Sequence, residues 1–350
     1  MSSTIQHIAI IRLSAMGDVA MTVPVIRAFA QQYPKVKITM VSRPFFQPFF
    51  EGIPNLTFFA FDEKVKHKGF LGLVRLFREL YSLKIDAFVD LHNVLRSQVV
   101  RTLFRLSGKQ VVAVDKGRAG KKALTRPENK VFKPLTTMFE RHRQVFEELG
   151  FTLDLSHPIF PEKAVLSDEI LKSIGNPNQK LIGIAPFAQY EGKVYPIDLM
   201  QEVIDELAKN QNQTIFLFGG GDKEIQLLNQ LQNQNVNVIV LAGKLKFKQE
   251  LEVISNLDVM LSMDSGNAHI AAMLGVKVIT LWGATHPFAG FKPFNQPDAF
   301  CLTSDRKKFP LLPTSIYGNK KVAGYEDVMR TIAVEKVVAT IEQQLNTKIA

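Results

Sequence analysis

The sequence predicts an α/β protein with two doubly wound domains, each built on a parallel sheet. Short apolar runs alternate with helical stretches in both halves of the chain, on either side of a region rich in proline and glycine at 151–178. Strands that alternate with helices form parallel sheets. The 350 residues suffice for two ordinary domains. The expected ranges are 1–165 for the N-terminal domain, 166–327 for the C-terminal domain and 328–350 for a final helix.

The first half opens with the apolar run IQHIAIIRL at 5–13, typical of a strand buried on both faces of a parallel sheet. A turn with Gly17 and Asp18 follows, and one helix is expected over 19–32. The basic residues 115–134 are expected to form a loop. Further strands are expected at 37–42, 56–61, 85–90 and 111–114, and further helices at 45–50, 70–83 and 138–149.

The second half repeats the alternation. Strands are expected at 180–186, 214–218, 236–241, 257–263 and 276–282, and helices at 197–210, 223–232, 247–255, 268–274 and 328–345. Polar residues follow several of these strands, as Asp18 and Asp90 do in the first half and Glu224 and Asp264 do here. Ligands of doubly wound sheets bind beyond the carboxyl ends of the strands, so these residues are expected to converge on one interdomain cleft.

Composition and charge limit the classes of protein to which this chain can belong. Apolar residues make up 46% of the chain and charged residues 22%, as in soluble globular proteins, and no apolar run reaches the ~18 residues of a membrane helix. The single cysteine, Cys301, excludes an intrachain disulfide, which favours the cytoplasm. The net charge of +10 suggests an anionic partner, either nucleic acid, acidic lipid or a phosphorylated substrate. GxGxxG after the first strand, the P-loop and HExxH are all absent, so neither a dinucleotide nor a metal is indicated.

The most informative stretch is 257–283, LDVMLSMDSGNAHIAAMLGVKVITLWG. It predicts a strand, a turn at Asp264-Ser265-Gly266, a short helix and a second strand. Backbone N–H groups at a helix N-terminus are unpaired and bind anions, and His269 in the first helical turn adds a donor. The alternative is that the turn only caps the helix and that His269 only packs.

Four further residues could complete a nucleotide-diphosphate site. Gly219 and Gly220 allow the backbone to approach a ligand closely, Glu224 is placed to grip ribose hydroxyls, and Lys193 could neutralise a diphosphate. Asp18 could take the proton from an attacking hydroxyl. The alternatives are a surface glutamate, a solvated lysine and an aspartate that caps the helix after it.

Several segments together resemble the ADP-heptose:lipopolysaccharide heptosyltransferases, glycosyltransferase family 9. They are RLSAMGDVAMTVPVIRAF (12–29), VDLHNVLRS (89–97), GKVYP (192–196), FGGGDKE (218–224) and MDSGNAHIAAMLGVKVITLWGAT (263–285). The resemblance implies the GT-B fold, two Rossmann-like domains that face each other across a cleft, with a last helix that crosses back to the first domain. It also implies inverting transfer from a nucleotide-activated sugar, with no metal or other cofactor.

The resemblance further assigns roles. Asp18 is the proposed base, in a loop with Ser14 and Gly17. Glu224 binds the ribose beside Gly219 and Gly220, and the adenine lies near 242–245. The implied diphosphate-binding residues are Lys193, Asp264, Ser265, Gly266 and His269. The implied residues for an anionic, lipid-linked glycan acceptor are Asp90, Arg96, Arg118, Lys121 and Lys122.

This sequence also departs from the family pattern. Several members carry two hydroxyl residues where Ser14 and Ala15 stand here, Tyr195 stands in a KxWP-like segment, and 289–325 has no assigned role. A cytoplasmic enzyme in peripheral contact with the inner membrane is expected, with no specific nucleic-acid partner. Two alternatives stay open: a sugar-nucleotide epimerase of the same fold, and a non-catalytic basic module that binds membrane or nucleic acid.

Overall fold

The computed structural model describes residues 5–175 and 180–346, which form two compact units. Unit 1 comprises Met1–Lys116 and Thr136–Ile159, and unit 2 comprises Gly117–Leu135 and Phe160–Ala350. Residues 117–135 and 160–165, expected in the first domain, therefore group with unit 2. The expected terminal segments 1–4 and 347–350, and residues 176–179 of the expected connection, lie outside the described residues.

Unit 1 is a five-stranded parallel sheet in the order β3-β2-β1-β4-β5. The order in which strands are added to the sheet changes direction between β1 and β4, and we call such a place the reversal point of the sheet. These two parallel strands pair from Ile8 with Ala87 to Ile11 with Asp90. The strands are β1 (His7–Ile11), β2 (Lys37–Ser42), β3 (Leu56–Ala60), β4 (Ala87–Asp90) and β5 (Gln110–Ala113), and the helices are α1 (Met16–Ala20), α2 (Val23–Gln32), α3 (Gly69–Ser82), α4 (Leu95–Leu106) and, later in the chain, α6 (Met138–Glu147). A 3₁₀ helix covers Pro44–Phe50.

The prediction of a single helix over 19–32 is wrong, because parts of two helices, α1 and α2, occupy this stretch. Pro24 lies at the start of α2. Its ring would clash with the carbonyl of Ala20, four residues earlier, so a continuous helix cannot pass this point. The first helix starts at Met16 and ends at Ala20, so Asp18 lies inside a helix rather than before one.

Unit 2 is a six-stranded parallel sheet in the order β11-β10-β9-β6-β7-β8. Its reversal point lies between β6 and β9, which pair from Ile182 with Val259 to Ala185 with Ser262. The strands are β6 (Lys180–Ala185), β7 (Gln213–Leu217), β8 (Val238–Val240), β9 (Val259–Met263), β10 (Lys277–Trp282) and β11 (Cys301–Thr303), and the helices are α5 (Arg118–Thr125), α7 (Asp168–Ile174), α8 (Ile197–Ala208), α9 (Asp222–Gln232), α10 (Phe247–Ser255), α11 (Gly266–Met273) and α12 (Val334–Asn346).

The last helix, α12, belongs to the core of unit 2. Its buried residues Val337, Val338, Ile341 and Leu345 join a cluster that lines β6, β7 and β9, and the helix contacts α8. Among the helices of the described ranges, none has the length and hydropathy needed to cross a bilayer.

The basic segment 117–135 is not the expected loop, since it contains α5. Lys130 Nζ donates to the carbonyls of Leu124 and Pro313 at 2.9 and 2.8 Å. Arg306 stacks its guanidinium 3.4 Å from the centre of the Phe132 ring. Cation–π contacts and hydrogen bonds to carbonyls satisfy these charges, so part of the basic composition serves packing.

We expect Lys130→Met to destabilise unit 2 by about 1–3 kcal/mol, because two carbonyl groups lose their donor. Burial, followed by the positive charge of Arg306, lowers the pKa of Lys130 to about 8. The thermal midpoint measures the change. Lys133→Met is the matched control, since Lys133 is exposed in the same segment and should change stability by less than about 0.5 kcal/mol. Equal effects of the two substitutions would contradict the anchoring role.

Candidate active site

Lys193 and Asp264 meet beyond the carboxyl ends of β6 and β9, at the reversal point of the unit 2 sheet. Lys193 Nζ lies 3.2 Å from Asp264 Oδ2, and the two side chains are 14% and 8% exposed. The loop after β6 carries the lysine and the turn after β9 carries the aspartate, so the adjacency of these strands brings them together. A nearly buried ion pair results, with the ammonium held at one position.

The turn after β9 leads into α11, whose N-terminus is polar. Ser265 is the N-cap residue, but its side chain makes no capping hydrogen bond to the helix. Its Oγ lies 3.1 Å from Ser262 Oγ instead. The expected alternative, a side-chain cap by Ser265, is therefore wrong, and the positive end of the helix dipole is not masked by that hydroxyl.

His269 lies in the first turn of α11 and is 7% exposed. Its position one turn from Ser265 agrees with the pattern that singled it out, and its burial shows that the ring packs as well. Gly266 is the first residue of the same helix. The structure therefore places Lys193, Asp264, Ser265, Gly266 and His269 around one helix terminus.

Glu224 folds back on the glycine turn after β7. Its Oε2 accepts the backbone N–H of Gly220 at 2.8 Å. A Cβ at Gly219 would lie 3.1 Å from that same oxygen, so glycine permits the close approach. Glu224 is half-buried in the first turn of α9, which orients its carboxylate at the mouth of the turn.

The turn that carries Lys193 is built into the core. Tyr195, two residues on, is fully buried and donates its hydroxyl to the Ile332 carbonyl at 2.7 Å. Burial, followed by nearby acidic residues, raises the pKa of Tyr195 to about 12. The Gly192 carbonyl accepts the Ala284 N–H at 2.8 Å. Both contacts fix the backbone on either side of Lys193.

A loop at 314–318 braces the lysine side chain. The N–H groups of Thr314 and Ser315 donate to the Ala284 carbonyl at 3.0 and 3.2 Å, and Ser315 Oγ accepts the Gly318 N–H at 2.9 Å. Gly318 has φ +78°, and a Cβ there would overlap the Lys193 stem, 2.8 Å from its Cδ. This loop belongs to the stretch 289–325 for which the sequence suggested no role.

In unit 1, Asp18 lies beyond β1 and is held by Arg12. Arg12 Nη2 lies 2.6 Å from Asp18 Oδ2, with the two side chains 6% and 34% exposed. Arg12 Nη1 donates to the Leu91 carbonyl at 2.7 Å, directly after β4. The Ala15 N–H also lies 3.4 Å from Asp18 Oδ2. The buried guanidinium thus fixes a carboxylate that solvent can reach, in a loop where Ser14 and Gly17 are half-buried.

Positive charge also lies close to His92, in the turn after β4. His92 is 8% exposed, and burial lowers its pKa to about 3, with further lowering by Arg12, Lys116 and Arg43 and an opposing contribution from Asp18. The imidazole is therefore neutral at physiological pH. Arg43 and Lys116 lie close enough to His92 to lower its pKa, and sequence reasoning assigned neither residue to a site.

Two expected acceptor residues of unit 1 already have protein partners. Asp90 is fully buried; its Oδ1 accepts the N–H groups of His92 and Asn93 at 3.0 and 2.6 Å, and Arg101 lies 3.1 Å from its Oδ2. Desolvation raises the pKa of Asp90 against these bonds. Arg96 is 56% exposed and pairs with Glu63 at 2.6 Å. Asp90 therefore holds the turn after β4, and Arg96 alone of the two remains at the surface.

The other three expected acceptor residues lie in α5 of unit 2. Lys121 is 8% exposed, with its Nζ 4.2 Å from the centre of the Phe291 ring. Arg118 and Lys122 are exposed. The expectation that all three belong to the N-terminal unit differs from the structure, because α5 groups with unit 2.

Comparison with known proteins identifies the family of this chain. The model of glycosyltransferase family 9 (heptosyltransferase) matches residues 73–314. The chain belongs to this glycosyltransferase family. The lipopolysaccharide core heptosyltransferase OpsX of Haemophilus influenzae is 24% identical to this glycosyltransferase over 97% of the chain and 96% of its own length.

Solved structures share the fold of this glycosyltransferase. A family 9 glycosyltransferase from Veillonella parvula has a TM-score of 0.75 and 21% identity, over 99% of this chain and 98% of its own. Escherichia coli heptosyltransferase WaaC with ADP has a TM-score of 0.65 and 19% identity, over 97% and 99%. The expected GT-B class of fold is confirmed. Within residues 5–175 and 180–346, no three His, Cys, Asp or Glu side chains group so as to hold a metal ion.

Gly318→Ala should lower transferase activity by more than about tenfold, because the new methyl group displaces the Lys193 stem and small displacements of a positioned group are costly. Gly324→Ala is the matched control: Gly324 has φ +77° but nothing within 4 Å of its Cβ position. It carries the same backbone strain and should lose less than about twofold. Initial rates, with thermal midpoints to confirm folding, make the comparison. Similar losses in the two variants would show that backbone strain, not contact with Lys193, matters.

Proposed function

We propose that this glycosyltransferase transfers a heptose from an ADP-activated donor to an anionic, lipid-linked glycan of the lipopolysaccharide core, with inversion at the sugar C1. The observation that carries the proposal is the Lys193–Asp264 pair beside the N-terminus of α11, where Ser265 leaves the helix uncapped by its side chain. A fixed ammonium and a helix N-terminus together suit a diphosphate. The names of the relatives support the sugar and the acceptor.

In the proposed reaction the acceptor hydroxyl attacks C1 of the donor sugar from the face opposite the diphosphate. Asp18 accepts the hydroxyl proton as the new C–O bond forms. The bond from C1 to the diphosphate oxygen breaks, and its electron pair leaves with ADP. Arg12 acts through Asp18, since it touches the carboxylate and not the reacting atoms.

Charge on the leaving diphosphate is stabilised by groups that are in place before the reaction. Lys193 neutralises part of the charge, and the N-terminal amides of α11 with His269 supply further donors. Asp264 is negative and would repel a phosphate, so its role is to position Lys193. Glu224 binds the ribose hydroxyls beside the Gly219–Gly220 turn.

The acceptor side of the proposal rests on the cations near His92, which also interacts with Asp18. Arg43 and Lys116 affect the pKa of His92 and hence lie close to it, and Arg96 is exposed nearby through the shared partner Glu63. A phosphate or carboxylate on the acceptor would be attracted to them. Since such an acceptor is lipid-linked, we place the enzyme at the cytoplasmic face of the inner membrane, in peripheral contact with it.

ADP should raise the thermal midpoint, and UDP and GDP should not. At 100 times its dissociation constant a ligand stabilises the folded state by about 2.7 kcal/mol. Lys193→Met should weaken the ADP-induced shift, whereas Lys209→Met should leave it intact, because Lys209 is 70% exposed and pairs with its helix neighbour Glu206. Absence of a shift with all three nucleotides would refute the donor assignment.

Asp18→Asn should reduce heptosyl transfer by about 10²–10⁴-fold, because an amide of the same shape cannot accept the hydroxyl proton. The rate of product formation from ADP-heptose and a purified core acceptor measures the change. The shift of the thermal midpoint by ADP serves as the control and should stay unchanged, since Asp18 lies in the other unit. Retention of most activity would mean that Asp18 only stabilises its turn.

A further inference from the structure

Three large apolar side chains stand in water within seven residues of unit 1. Val65 is 80% exposed, Phe70 65% and Leu71 81%. Single exposed apolar residues are normal, but a cluster of this kind marks a surface that contacts another apolar phase. The residues lie in the turn 62–68, which follows β3, and in the first turn of α3. We call residues 64–71 the apolar tip.

The apolar tip is held in a fixed shape by its own turn. The Asp62 carboxylate accepts the N–H groups of Lys64 and Val65, each at 3.0 Å, and of Lys66 at 3.2 Å. These bonds lower the pKa of Asp62. The Asp62 side chain thus fixes the backbone of the residues that carry Val65 into solvent.

A buried histidine closes the base of the same turn. His67 is 2% exposed, stacks on Phe61 with ring centres 5.4 Å apart, and has its Nε2 3.3 Å from Glu79 Oε2. A Cβ at Gly72 would lie 2.8 Å from His67 Cα, so α3 approaches the turn as closely as a backbone can. Since the base is packed this tightly, exposure of the tip is not the result of a loose loop.

The apolar tip carries basic residues. Lys64 and Lys66 flank Val65, Lys68 lies two residues before Phe70, and all three lysines are exposed. Arg75 and Arg78 are exposed on α3 and follow Leu71 at helical spacing, so they lie on the same side of the helix as Leu71. The opposite side, with Leu73, Leu76 and Leu80, is buried in unit 1.

We propose that the apolar tip docks unit 1 onto a membrane surface that contains anionic lipid. Apolar side chains between lysines match a bilayer interface, where the lysines meet headgroup phosphates and the apolar groups enter the acyl boundary. A nucleic acid would satisfy the charges but leave Val65, Phe70 and Leu71 in water. The inference rests on the proposed function, whose acceptor is lipid-linked, and it names the surface that brings the enzyme to that acceptor.

The test is co-sedimentation of the full chain with vesicles that contain no glycolipid and no nucleotide. Vesicles of equal parts phosphatidylcholine and phosphatidylglycerol should bind the chain, and pure phosphatidylcholine should bind it at least about tenfold more weakly. The triple variant Val65→Ser, Phe70→Ser, Leu71→Ser should bind the anionic vesicles at least about tenfold less. Lys64→Gln with Lys68→Gln should lose more than about tenfold, at about fivefold for each lysine; Lys66 is left intact because it pairs with Glu79.

The matched control is Leu106→Ser, Val165→Ser, Val236→Ser, at positions that are 79%, 94% and 85% exposed outside the apolar tip. It should bind vesicles like the native chain. Equal losses in the two triple variants, or binding that neither triple variant changes, would overturn the proposal. Transfer to a delipidated, water-soluble acceptor separates this inference from the proposed function. The triple tip variant should keep that activity. If the native chain binds vesicles but transfers no sugar to the soluble acceptor, only the proposed function is refuted.

Discussion

The ion pair between Lys193 and Asp264 is the contact on which the proposed donor site depends. Removing an ammonium from water is costly, and a nearly buried pair repays that cost only when its geometry is good. Here the carboxylate holds the ammonium dehydrated and oriented before any ligand arrives. In the proposed complex an incoming diphosphate shares a lysine that has already lost most of its water, and the helix N-terminus offsets the repulsion from Asp264. Preorganisation of this kind reduces the free-energy cost of binding.

The pair requires support from distant parts of unit 2. Tyr195 anchors the lysine turn to the segment before α12, and Ala284 links Gly192 to the loop at 314–318. Gly318 packs against the lysine stem. The anchoring contact of Tyr195 explains why this residue can replace the tryptophan of a KxWP-like segment. The tyrosine hydroxyl donates a hydrogen bond to the Ile332 carbonyl. The departure from the family pattern is a structural link.

Much of this arrangement could be predicted from the sequence, and the failures have physical causes. Hydrophobic periodicity predicted the parallel strands. The polar and glycine residues that follow β1, β7 and β9 could be recognised directly in the sequence. It could not show that Asp90 faces inward to bind two backbone N–H groups and Arg101, since an aspartate after a strand has the same pattern when it faces a ligand. Nor could the basic composition of 117–135 reveal that the Phe291 ring holds Lys121 and the Pro313 carbonyl holds Lys130, because these two partners lie 170 and 183 residues away along the chain.

Each sheet holds an ion pair at its reversal point, but the positive and negative residues exchange roles between the two sheets. At the reversal point between β1 and β4 a cation, Arg12, holds the carboxylate of Asp18, the proposed base. At the reversal point between β6 and β9 a carboxylate, Asp264, holds the ammonium of Lys193, the proposed diphosphate ligand. The residue types suit these tasks. A guanidinium can bind the Leu91 carbonyl and Asp18 at once and so fix the direction of a base. An ammonium is a point charge with rotatable donors, so it can bind Asp264 and a phosphate together while the phosphate gains charge during the reaction.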